Sequence, residues 1–116
     1  HFEGDTLTPT HGAYPDAVRA LASREGLPLI DLTAASARLV QRLGEPASRE
    51  LYMVFAPNLY SNYPEGKTDN THLRYAGAVK FTGLVADGLQ TLGGAYAQVL
   101  LAAPEKDKYD EKGYEG

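Results

Sequence analysis

The segment Leu27-Pro28-Leu29-Ile30-Asp31-Leu32 lies between two stretches of helical period, and that placement constrains the fold more than any other feature of the chain. Upstream, Tyr14-Pro15-Asp16 opens a predicted helix. Proline lacks the N–H that a first turn leaves unpaired, and Asp16 complements the positive helix end. Ala17, Val18, Leu21 and Ala22 share one face, and Gly26 is the expected stop. Downstream, Thr33 can cap a second helix over residues 34–43, with Leu39, Val40 and Leu43 on its apolar face, Gly44 as its stop and Pro46 marking the break. A short apolar run between helices, here Leu29–Leu32, reads as a buried parallel strand. Helix, strand, helix is the repeating unit of a layered α/β fold.

The rest of the chain fits that class without completing it. Residues 1–13 are turn-rich and read as loop. Leu51-Tyr52-Met53-Val54-Phe55 is either a strand or a buried piece of helix, since periodicity cannot decide over so short a run. Residues 56–70 read as loop, and a long helix is expected from about His72 to Leu92, with Ala78, Phe81, Val85, Leu89 and Leu92 along one face and Gly93-Gly94 ending it. Residues 95–103 form an apolar segment suited to a last short helix. The domain is therefore placed at residues 1–103. Residues 104–116 are mostly charged, cannot bury apolar surface, and read as a flexible tail. One secure strand cannot make a sheet, so the helices' apolar faces lack a floor. Marginal stability is expected, or association with a missing half-domain or with another copy.

The inventory of reactive side chains is short. With no cysteine there is no disulfide framework, thiolate zinc site or cysteine nucleophile. Chemistry must come from His1, His11 and His72, from Ser23, Ser36, Ser48 and Ser61, and from the carboxylates. A net charge of −4 argues against a non-specific nucleic-acid or anionic-membrane binder. No stretch is long and apolar enough for a membrane helix. The opening His1-Phe2-Glu3-Gly4-Asp5 shows no signal-peptide pattern and reads as a start inside a gene product, which assigns no compartment.

Asp69-Asn70-Thr71-His72 is the most informative stretch. A carboxylate that accepts a hydrogen bond from one imidazole nitrogen fixes the tautomer, stabilises the imidazolium, and leaves the other nitrogen free to take a proton from a hydroxyl nucleophile. The same residue types before a helix also make an ordinary N-cap with a solvent-facing histidine.

Four ordered segments go further: residues 10–19 (THGAYPDAVR), 28–33 (PLIDLT), 62–66 (NYPEG) and 69–78 (DNTHLRYAGA). Together they resemble the SGNH (GDSL-type) hydrolases, which are serine esterases, and within them the rhamnogalacturonan acetylesterase branch. The resemblance covers roughly residues 1–100. It implies a three-layer α/β/α, flavodoxin-like fold with a parallel sheet, of which this chain is the C-terminal part. It also implies removal of acetyl groups from a pectin-type polysaccharide or oligosaccharide without metal or organic cofactor. His72 would be the general base and Asp69 its orienting carboxylate. The family's Gly-Asp-Ser nucleophile block and its oxyanion-hole glycine and asparagine blocks are absent from this sequence. The contexts of Ser23, Ser36, Ser48 and Ser61 read as helix-surface or loop serines, so the chain offers no nucleophile and is expected to be inactive alone.

Tyr60 and Tyr63 could stack on a sugar ring or pack their loop onto the body. His11 could line a sugar site or sit in a surface loop, and Asp31 could lie near a site or cap the following helix. No histidine spacing suits a metal. The alternative to an esterase fragment is a non-catalytic binding or interaction module derived from the same fold, in which Asp69 and His72 only cap a helix.

Overall fold

A computed structural model describes residues 1–100, so the tail expected at 104–116 lies outside the described residues. In chain order the elements are β1 (Phe2–Glu3), β2 (Thr6–Leu7), α1 (Tyr14–Glu25), α2 (Leu32–Arg49), β3 (Tyr52–Phe55), β4 (Lys67–Leu73), α3 (Tyr75–Leu92) and α4 (Gly94–Gln98). The class is mixed α/β. Both sheets among the described residues are two-stranded and antiparallel, β1 with β2 and β3 with β4.

The first helix forms as its sequence predicts. Pro15 sits in its first turn, and Gly26 closes it in the left-handed conformation at φ 63°. Leu27 to Asp31, however, is not a strand. A parallel strand needs a hydrogen-bonded neighbour, and no described strand lies beside this segment. Asp31 instead turns into α2, where its Oδ1 accepts the Ala34 N–H at 2.9 Å. The cap is therefore Asp31 and not Thr33. Gly44, at φ 75° and ψ 170°, breaks α2 where a stop is expected, but helical turns resume at once. Pro46 is tolerated because it falls in the first turn after that break. Residues 1–7, expected as loop, form the β1–β2 hairpin, which Gln41 fastens to α2: its Oε1 accepts the Leu7 N–H and its Nε2 donates to the Asp5 carbonyl, both at 2.7 Å.

Burial is thin. Among the described residues, Ala22, Leu39, Val40 and Leu51 are the buried apolar ones, and no large side chain is fully enclosed. Of the apolar face of α1, Ala22 is covered, while Val18 and Leu21 are 53% and 46% exposed. Helix α3 makes the closest approaches. Gly77 lets its first turn rest on the Leu51 backbone, and Gly88 takes the Ile30 side chain against the helix. The Tyr52 and Phe81 rings meet edge to face at 6.4 Å.

Arg19 ties α1 to the start of α2. Its Nε and Nη2 donate to both oxygens of Asp31, at 2.7 and 3.1 Å, and its Nη1 donates to Asp16 at 2.7 Å. Arg19 first, and the Ala34 N–H second, hold the Asp31 carboxyl below the usual carboxylate range. A carboxyl depressed on folding adds stability above its unfolded value, near pH 4, and loses it as pH falls through the lower folded value. Asp31→Ala is expected to cost about 1 kcal/mol at pH 7, chiefly through the lost cap. Urea titration at pH 7 and pH 3 checks both parts. The gap between variant and wild type should narrow at the lower pH.

Candidate functional site

The Asp69–His72 pair sits on a β-bulge, not on the first turn of a helix. Tyr52 pairs with Leu73 and Met53 pairs with Asp69, so Asn70, Thr71 and His72 have no counterpart on β3. A bulge of this kind re-aims side chains out of a strand. Asp69 closes it from within: its Oδ1 accepts the backbone N–H groups of Thr71 at 2.9 Å and of His72 at 3.0 Å. The other oxygen, Oδ2, meets His72 Nδ1 at 2.8 Å. Helix α3 begins only at Tyr75, after Arg74, and Asp69 does not cap it.

The hydrogen bonds fix the chemistry of the pair. The Asp69 carboxyl is held far below the usual range by the two backbone N–H donors first, and then by the imidazole. An ionised carboxylate can only accept, so Nδ1 carries the proton and donates it. In the neutral ring Nε2 is then the bare nitrogen, the one able to take a proton. The His72 side chain is 75% exposed and that of Asp69 is 19% exposed. The carboxylate is thus sheltered and the imidazole accessible.

The loop between β3 and β4 packs beside this bulge. Phe55 meets Tyr60 at 4.7 Å and Tyr63 at 5.6 Å, both edge to face. Tyr60 and Tyr63 therefore anchor the loop to β3. Asn58 takes a left-handed φ of 64°, with its N–H donating to the Pro64 carbonyl at 3.0 Å. Gly66, at φ 75°, returns the chain so close to β3 that an added Cβ would lie 2.6 Å from the Phe55 carbonyl oxygen. Any side chain there would push the loop off its strand. Arg74 clamps the far side: its Nη2 donates to the Tyr60 hydroxyl at 2.8 Å, its Nη1 to Glu50 at 3.1 Å, and its backbone N–H to the Leu51 carbonyl at 2.9 Å. Lys67 lies over the Tyr63 ring at 5.0 Å and reaches Asp69 Oδ2 at 3.7 Å.

His11 lies elsewhere. It lines a cleft of about 270 Å³ with Tyr14, Val18, Arg19, Ile30 and Thr33, to which neither Asp69 nor His72 contributes. Among the described residues no serine bonds to His72. Ser36 and Ser48 donate to the carbonyls of Thr33 and Glu45 inside α2, and Ser48 is buried rather than on the helix surface. No group of three or more acidic or histidine side chains placed to hold a metal occurs among the described residues. No helix among them is long and apolar enough to cross a membrane. Lys67 and Arg74 carry no motif that would mark them. Lys67 becomes legible once residues 67–73 are known to be a strand, because positions two apart share a strand face.

No family model and no solved structure matches the chain. Among curated proteins, rhamnogalacturonan acetylesterase RhgT of Bacillus subtilis (strain 168) is 42% identical over 91 residues, a stretch that covers 78% of this chain and 39% of that protein. The chain thus spans about two-fifths of the length of the curated relative it matches. Over those residues the chain is similar to a rhamnogalacturonan acetylesterase, which supports the resemblance carried by the four segments.

Proposed function

We propose that this chain carries the acid–base arm of a carbohydrate acetylesterase site. The carrying observation is the 2.8 Å contact of Asp69 Oδ2 with His72 Nδ1, in a bulge that Asp69 itself closes. His72 is the general base and Asp69 orients it. In the complete site a serine hydroxyl attacks the acetyl carbonyl while His72 Nε2 takes its proton. Backbone or side-chain donors hold the oxyanion. The imidazolium, stabilised by Asp69, then protonates the departing sugar hydroxyl, and water releases acetate from the acetyl-serine by the reverse path. The substrate is an acetylated pectin-type polysaccharide or its oligosaccharides, in keeping with the name of the relative.

The serine and the oxyanion donors lie outside the four segments that carry the resemblance. The complete unit in this reading is a three-layer α/β/α domain with a parallel sheet. The exposed face of α1, with Val18 and Leu21, supports that reading, because such a helix is built to cover a sheet. The chain alone is expected to turn over no ester through His72. The measurement is p-nitrophenyl acetate hydrolysis by the wild-type chain and by His72→Ala. Equal rates support the reading, and a rate that vanishes in the variant overturns the claim that the nucleophile lies elsewhere.

A further inference from the structure

Lys67 has no part in the proton relay as described, yet its ammonium forms an ion pair with the carboxylate oxygen that the imidazole bonds. Asp69 Oδ2 takes His72 Nδ1 at 2.8 Å and lies 3.7 Å from Lys67 Nζ. The lysine is held there from two sides. Its Nζ stands over the Tyr63 ring at 5.0 Å, and its backbone is in register with Phe55, the residue on which Tyr63 packs. We propose that Lys67 is a positioning residue that biases His72 toward the neutral form a general base needs. This rests on the reading of Asp69 and His72 given above. A fixed positive charge on the same carboxylate oxygen has two effects: it repels the imidazolium, and it takes up part of the negative potential that would stabilise it.

The other charged and titratable groups around the pair leave Lys67 as the ammonium on this oxygen. Arg74 is committed to Glu50 and Tyr60. The facing strand β3 brings only the Tyr52 phenol, the loop brings Tyr60 and Tyr63, and Glu65 is exposed in the turn before Gly66.

The test uses the whole chain and needs no esterase activity. Diethyl pyrocarbonate acylates only the neutral imidazole, and peptide mass spectrometry reads the modification rate at His72 separately from His1 and His11. At pH 6, Lys67→Met is expected to slow this rate about twofold, because more of the ring is protonated. Lys67→Arg should restore the wild-type rate, and at pH 8.5 all three should agree. Asp69→Asn keeps an oxygen for the two backbone N–H groups but removes the anion, and it should raise the rate at pH 6. A Lys67→Met rate equal to wild type, with Asp69→Asn altered, overturns the role of Lys67 and leaves the pair standing. A drop that persists at pH 8.5, or that Lys67→Arg fails to rescue, makes the effect one of access and also overturns it. No response from either substitution removes the Asp69–His72 pair itself.

Discussion

His72→Ala should abolish acetyl release by a chimera in which the 91 matched residues of this chain replace the corresponding stretch of the Bacillus subtilis relative. The graft supplies the serine and oxyanion donors that the proposed reading places elsewhere, while keeping the bulge, the aromatic loop and the histidine of this chain. A positioned general base with its orienting carboxylate accounts for about 10³–10⁴-fold of rate in hydroxyl-nucleophile acyl transfer. The unsubstituted chimera is therefore expected to release acetate from acetylated rhamnogalacturonan, and His72→Ala to lower kcat/KM by about that factor. Asp69→Asn should also lose activity, because its amide can donate to Nδ1 and so favour the wrong tautomer. A folded, active chimera in which His72→Ala costs less than tenfold would overturn the role assigned to His72. A folded chimera that binds substrate and is inactive would favour the alternative, a binding module that has kept the shape of the site without its chemistry.

What the residues reveal unaided divides along a physical line. Local signals held. Pro15 and Gly26 bound α1, Gly44 breaks α2, and Gly93 ends α3, because each acts through its own backbone dihedrals. Signals that depend on a partner did not. Leu29–Leu32 has the composition of a buried strand, but a strand is a pairing property, and without a neighbour the segment forms no strand and Asp31 serves as a cap. Conversely, residues 67–70 are expected as loop and His72 as the start of a helix, yet Lys67–Leu73 is a strand because β3 pairs with it. The pairing also moves Asp69 and His72 from an expected helix turn to a bulge. Spacing and resemblance single out these two residues, whereas the geometry that joins them has no local signature. The bulge exists because the strand register shifts between Tyr52 and Met53, which no local pattern announces. Tyr60 and Tyr63, equally suited by sequence to sugar stacking or loop packing, are seen packing on Phe55.

The strand pairing that forms the bulge adjoins a close backbone contact at Gly77. A Cβ at residue 77 would fall inside the contact distance of the Leu51 carbonyl oxygen and 2.8 Å from its carbon, and both are backbone atoms that cannot swing away. The same carbonyl accepts the Arg74 N–H at 2.9 Å, so the start of α3, the end of β4 and the start of β3 converge there. Gly77→Ala is expected to destabilise the chain by about 3 kcal/mol, the upper range for forced overpacking. The four buried apolar residues among those described leave little else to offset that loss. Gly83 provides the matched comparison in the same helix. Nothing lies within 4 Å of its added Cβ, so Gly83→Ala should gain about 0.5–1 kcal/mol from helix propensity alone. Urea denaturation followed by circular dichroism reads both. Opposite signs at two glycines of one helix can come only from what each faces. Equal signs would mean that α3 does not rest on Leu51. In that case the register that ends at Tyr52 and Leu73, and with it the bulge that presents His72, would lose its support.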